Sequence, residues 1–145
     1  MDPQPEPGTG SGDSTRSSNV IFKGKIVQVL ITDDAQEEFD RLSTIVQEER
    51  GKGILQSDHQ ILFHSIQQKL SLLRVDPGYG IHIAKRQMPR EYVQKYKIKN
   101  IWKINLAGAW RMLYTIRSTE IEVLAVVLDI LDHRTYEKKF GYRKS

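Results

Sequence analysis

The sequence predicts an α+β domain in which a helical hairpin packs on one face of a small, mostly antiparallel four-stranded sheet, in the order β-α-α-β-β-β. Three observations predict it. A short Val/Ile-rich run comes first, two apolar stripes of helical period follow, and two alternating runs and one continuously apolar run close the chain. With 145 residues, 39% of them hydrophobic and 28% charged, there is apolar material for one core rather than two.

Residues 1–22 read as a disordered polar tail, because Pro, Gly, Ser, Thr and Asp dominate up to Asn19 and no periodic apolar positions offset the entropy of ordering. The domain is then 23–145. A first strand is expected over Lys25–Ile31, stopped by Thr32, Asp33 and Asp34. Asp33 with Gln36 resembles an N-cap pair for a helix carrying Ala35, Phe39, Leu42 and Val46 at helical spacing, ended by Gly51 and Gly53. Ser57 and Gln60 form a second capping pattern, ahead of the stripe Leu62, Ile66, Leu70 and Leu73, which stops before Asp76, Pro77 and Gly78. Residues 81–100 are irregular, with Pro89 suited to open a short helical turn. Trp102, Ile104 and Leu106, then Trp110, Met112, Tyr114 and Ile116, alternate with other residues around an Ala107-Gly108-Ala109 turn, which predicts a hairpin with one apolar face. Residues 121–131 suit a central strand buried on both faces, and 133–140 a short helical ending. With the helical hairpin on one face of the sheet, the other face is expected to be free for function.

Composition narrows the function classes. The absence of cysteine removes disulfides, thiolate nucleophiles and thiolate metal sites, and suits a reducing, cytoplasmic setting. No apolar run approaches the length of a membrane span, and no membrane partner is expected. Residues 80–145 carry fourteen basic and six acidic residues, so the positive charge is concentrated in the second half. Such a half-chain suits a polyanion, either nucleic acid or an acidic protein segment, and also suits a plain lysine-rich surface.

If the three-residue turn pairs Leu106 with Trp110, Asn105 faces Arg111 and Lys103 lies diagonally adjacent, all on the face opposite the tryptophans. Lys85, Arg86, Lys97 and Lys99 before the hairpin, and Arg134, Lys138 and Lys139 after the last strand, flank them. Such a face suits RNA backbone cleavage without metal, in which a 2′-hydroxyl attacks its own phosphate and the developing negative charge must be stabilised. Arginine supplies that charge, and His133 or Tyr136 can exchange protons or stack on a base. The same residues would equally serve as ordinary polar groups of a solvated sheet face. His59, His64 and His82 lack metal-ligand spacing and read as residues capping or beside helices, and Gly78 and Gly80 punctuate a turn. Asp129 and Asp132 read as strand-end solvation and a turn.

The strings Asn-Ile-Trp-Lys-Ile-Asn-Leu (100–106), Ala-Trp-Arg-Met-Leu-Tyr-Thr-Ile (109–116) and Leu-Asp-His-Arg-Thr-Tyr (131–136), closed by Phe-Gly-Tyr (140–142), together resemble the RelE/ParE superfamily of type II toxin–antitoxin systems. The resemblance implies a RelE-like fold and a ribosome-dependent endoribonuclease that cuts mRNA, needs neither metal nor other cofactor, and is silenced by a cognate antitoxin protein. It implies catalytic roles for Lys103, Arg111, His133, Arg134 and Tyr136, while RNA binding is expected of Lys85, Lys97, Lys99, Asn105, Lys138 and Lys139 from their placement around the hairpin. Some ribonuclease members carry a second lysine where this chain has Asn105. The ParE branch offers the alternative, a non-enzymatic module that inhibits a DNA topoisomerase, and an inactive interaction homologue is a third.

Overall fold

The computed structural model describes residues 21–141, so residues 1–20 of the tail expected over 1–22, and Tyr142 of the closing string, lie outside the described residues. The architecture is α+β. Strands β1 (Ile21–Phe22), β2 (Lys25–Ile31), β3 (Ile81–His82), β4 (Trp102–Asn105), β5 (Arg111–Ser118) and β6 (Glu122–Leu131) form one sheet in the order β1-β2-β6-β5-β4-β3. Only the β2–β6 pair is parallel, joining Ile26 to Glu122 and Ile31 to Val127. The four strands expected from sequence are β2, β4, β5 and β6. The two added strands have two residues each, too few for alternation to be visible, and Ile21 and Phe22 of β1 belong to the sheet although the sequence reading groups them with the tail.

Helices α1 (Asp33–Gly51) and α2 (Asp58–Val75) form the expected hairpin. The N-cap of α1 is Thr32, not Asp33: the Thr32 hydroxyl accepts the Ala35 N–H at 3.2 Å, and adjacent Thr and Asp residues compete for one such position. Ser57 caps α2 as expected, accepting from the Gln60 N–H at 3.1 Å. Leu42 of α1 and Leu62, Ile66, Leu70 and Leu73 of α2 are buried against Ile104, Met112, Tyr114, Ala125 and Val127 of the sheet. Each such aliphatic side chain contributes roughly 1.5–3 kcal/mol when fully removed from water.

The second face is not free. Helices α3 (Arg90–Tyr96) and α4 (His133–Phe140) close over it, and Tyr92, Ile98, Ile101, Leu113, Leu128, Leu131 and Tyr136 form a second core there. A bulge in β6 serves both layers. Leu113 pairs with Asp129 while Tyr114 pairs with Val127, so Val127 and Ile130 face α1 and α2, whereas Leu128 and Leu131 face α3 and α4. Helices of seven and eight residues are too short to show an apolar stripe, and their core positions are aromatics that read equally well as RNA-contacting groups. Among the described residues no helix is long and apolar enough to cross a membrane.

Candidate functional site

The β4–β5 hairpin has the expected register. The Leu106 N–H donates to the Trp110 carbonyl at 2.8 Å, and Asn105 lies opposite Arg111. Gly108 and Ala109 turn the chain at φ +68° and +64°, the left-handed region that glycine adopts freely and alanine does not. Arg111 braces this turn, because its Nη1 donates to the Ala109 carbonyl at 2.8 Å and to the Trp110 carbonyl at 3.2 Å.

The side chains of the two strands meet α4 at Tyr136. Lys103 Nζ donates to the Tyr136 hydroxyl oxygen at 3.1 Å and lies 5.2 Å from its ring centre, and the Arg111 guanidinium carbon also lies 5.2 Å from that centre. A phenol ring contacted by two cations gains attraction from its quadrupole. Helix α4 is fixed at its start by Asp132, whose Oδ1 accepts the Thr135 N–H at 2.8 Å; that bond, with the charges of Arg134 and His133, holds the carboxyl below its ordinary range. Asp132 is therefore an N-cap. Tyr136 also stacks on Phe140, with ring centres 4.5 Å apart.

This arrangement differs from an open catalytic face. Tyr136 is only 2% exposed, Lys103 and Arg111 are half-buried, and Arg111 Nε is buried without a hydrogen-bond partner. Beside Tyr136 opens a cleft of about 480 Å³ lined by Lys103, Tyr136, His82, Arg86, Lys138 and Lys139 among others, and by no carboxylate. Lys103 and Tyr136 reach the cleft, whereas Arg111 touches the ring without lining it.

The other expected site residues divide by position. Lys139 lines the cleft while pairing with Glu91 at 2.6 Å. Lys85 and Lys99 line a second cleft of about 400 Å³ that shares His82 and Ile83 with the first. Lys97 is exposed at the left-handed C-cap of α3, and Asn105 is exposed opposite Arg111. His133 and Arg134 line neither cleft: the His133 Nε2 sits 3.0 Å from a Glu137 carboxylate oxygen, and Arg134 is exposed.

Two features escape the sequence reading. His82 sits on the edge strand β3, paired with Trp102 with ring centres 4.7 Å apart, and lines both clefts. Asp129 is not solvated at a strand end. It accepts the Tyr92 hydroxyl at 2.8 Å beneath α3, and burial pushes its carboxyl above the ordinary range. Burial and the adjacent carboxylate in turn push the Tyr92 phenol far up. No neighbouring residue in the sequence signals either contact. Compared with protein-family models, with curated proteins and with solved structures, the chain gives no match.

Proposed function

We propose that the protein is a RelE-like toxin that cleaves mRNA on the ribosome, in the cytoplasm and under the control of an antitoxin. The observation that carries this reading is the junction of Lys103, Arg111 and Tyr136 at the wall of a carboxylate-free basic cleft. The order of the principal elements, one strand, a helical hairpin and three further strands, supports a RelE-like layout.

In the proposed reaction the 2′-hydroxyl attacks the adjacent phosphorus, the bond from phosphorus to the 5′-oxygen breaks, and the products are a 2′,3′-cyclic phosphate and a 5′-hydroxyl. The 2′ proton leaves to a base and the 5′-oxygen gains one. The Lys103 ammonium, at the cleft wall, stabilises the charge that develops on the phosphate oxygens. Arg111 acts through Tyr136, fixing the ring and adding positive field, rather than by touching phosphate. His133 is not placed to take the 2′ proton, so the share of the rate that comes from positioning is large, and a ribosome holding mRNA in one conformation supplies it.

Primer extension on reporter mRNA from cells expressing the chain tests the reading. Wild type should cut within translated codons, and Lys103→Ala should slow cutting by roughly 10²-fold, the scale of losing one preorganised charge stabiliser. Two observations favour a non-enzymatic, ParE-like module instead: Tyr136 is buried, and Arg111 is bonded to its own turn. Growth arrest without cuts, unchanged by Lys103→Ala, would replace the nuclease with that module.

A further inference from the structure

We infer that the second cleft is a stacking subsite for a base of single-stranded RNA, entered across the edge strand β3 from the basic cleft. The path between the two clefts rests on the nuclease reading; the binding chemistry of the subsite does not.

A row of aromatic rings crosses three strands at one register. Tyr114 on β5 is opposite Trp102 on β4, which is opposite His82 on β3, with ring centres 6.1 Å and 4.7 Å apart. Exposure rises along the row, from buried Tyr114 through half-buried Trp102 to exposed His82 at the sheet edge. The inner end is immobilised, because the Tyr114 hydroxyl accepts the Gly80 N–H at 2.9 Å and donates to the Pro77 carbonyl at 2.7 Å. The row therefore ends in an exposed imidazole, tilted 32° against the Trp102 ring, and a further ring added to such a row needs only a π-face.

The charges beside it suit a phosphate backbone. Lys85 and Lys99 line the cleft, are exposed, and make no ion pair among the described residues. No carboxylate lines this cleft either, and the shared His82 and Ile83 place it next to the cleft at Tyr136. Asn100 is the cleft residue with the hydrogen-bonding groups to read a base edge, but it is already committed. Its Nδ2 donates to the Ile116 carbonyl at 3.0 Å, and its Oδ1 accepts from the Ile116 N–H at 2.9 Å and the Thr115 hydroxyl at 3.0 Å. Stacking with backbone contacts and without base-edge contacts gives affinity with little sequence preference. An acidic peptide would meet the lysines but leave the ring row unused.

The test uses Trp102 emission in the full chain carrying Trp110→Phe, titrated with octauridylate. Saturable quenching is expected. Lys85→Glu with Lys99→Glu should weaken binding at least about 10-fold and flatten the slope of log affinity against log salt by about 1.4, from two lost single-strand phosphate contacts. His82→Ala should weaken it roughly 10-fold, as expected for loss of one stacked base. Circular dichroism melts confirm that each variant is folded. Binding without quenching, quenching indifferent to these substitutions, or equal competition by an octaglutamate peptide would overturn the subsite. Primer extension on the same variants separates the two readings. Lysine-dependent octauridylate binding without cuts in cells leaves the subsite standing and removes the nuclease. Cuts made equally fast by wild type and by a double-lysine variant that also binds normally remove the subsite alone.

Discussion

Gly80 illustrates how a residue acquires a role from a part of the chain far from its own turn. A Cβ built there would lie 2.7 Å from the Lys103 carbonyl oxygen and 2.8 Å from the Tyr114 hydroxyl, closer than real side-chain contacts allow. The sequence marks Gly80 as turn punctuation, because Pro77, Gly78 and Gly80 cluster; it cannot show that β4 and β5 press against it. Gly80→Ala should therefore cost about 1–3 kcal/mol through overpacking, read as a lowered urea midpoint with unchanged slope. An unchanged midpoint would mean that β3 shifts at no cost. Asp129 gives a prediction of opposite character. A carboxyl held above its ordinary value binds protons more readily in the folded than in the unfolded chain. Its contribution to stability therefore falls as pH rises from the unfolded value of about 4 through the raised folded one. Asp129→Asn keeps an acceptor for Tyr92, so relative to wild type it should be more stabilising at pH 7 than at pH 4 in urea unfolding. A difference between the two proteins that does not change with pH would contradict this.

At the scale of elements, what the sequence showed and what it concealed differ by length and by range. Helices α1 and α2, with 19 and 18 residues, display their core stripes over several turns, and the hairpin register follows from matching alternation on β4 and β5. Helices α3 and α4 display nothing comparable, so the layer they form over the second face was concealed, and with it the burial of Lys103, Arg111 and Tyr136. The candidate residues were legible by type; their closure was not, because it depends on where α4 lands after β6. Helix α4 can be tested through its central ring. Tyr136→Ala should destabilise by about 3–5 kcal/mol, as loss of a buried aromatic does. Tyr136→Phe should cost only about 1 kcal/mol, since it removes the acceptor for Lys103 but keeps the packing. If the hydroxyl serves the reaction as well as the fold, the Phe variant will lose mRNA cutting in primer extension far beyond that change in stability.

At the scale of the whole molecule, acidic and basic halves of the sequence become different regions of one domain. Helix α1 carries much of the acidic charge, and the segment from β3 to α4 carries the basic clefts. The halves are tied where α3 meets α1. Lys95 Nζ lies 2.5 Å from Asp34, and the Tyr96 hydroxyl donates to the same carboxylate at 3.2 Å, which together hold Asp34 below its ordinary range. Exposed ties of this kind contribute little to stability. The central strand contributes far more: Val123, Ala125, Val127, Leu128, Ile130 and Leu131 of β6 are all buried. A chain ending at residue 119 should therefore fail to fold cooperatively, and its amide spectrum should lack dispersion. A well-dispersed spectrum would show that the remaining strands hold together without their centre.

The parallel pairing of β2 with β6 also has a meaning in time. Ile26 is synthesised first, and its partner Glu122 arrives 96 residues later. Until then β2 has a hairpin neighbour in β1 but no sheet to join, and the long loop between the pair must close before the centre of the protein gains any stability. During translation, then, a growing chain exposes the apolar stripes of α1 and α2 until β6 has been made. Lys103 and Tyr136 can meet only after β6 has been made and α4 has followed it, so the basic cleft is assembled later than the layer that the helical hairpin covers.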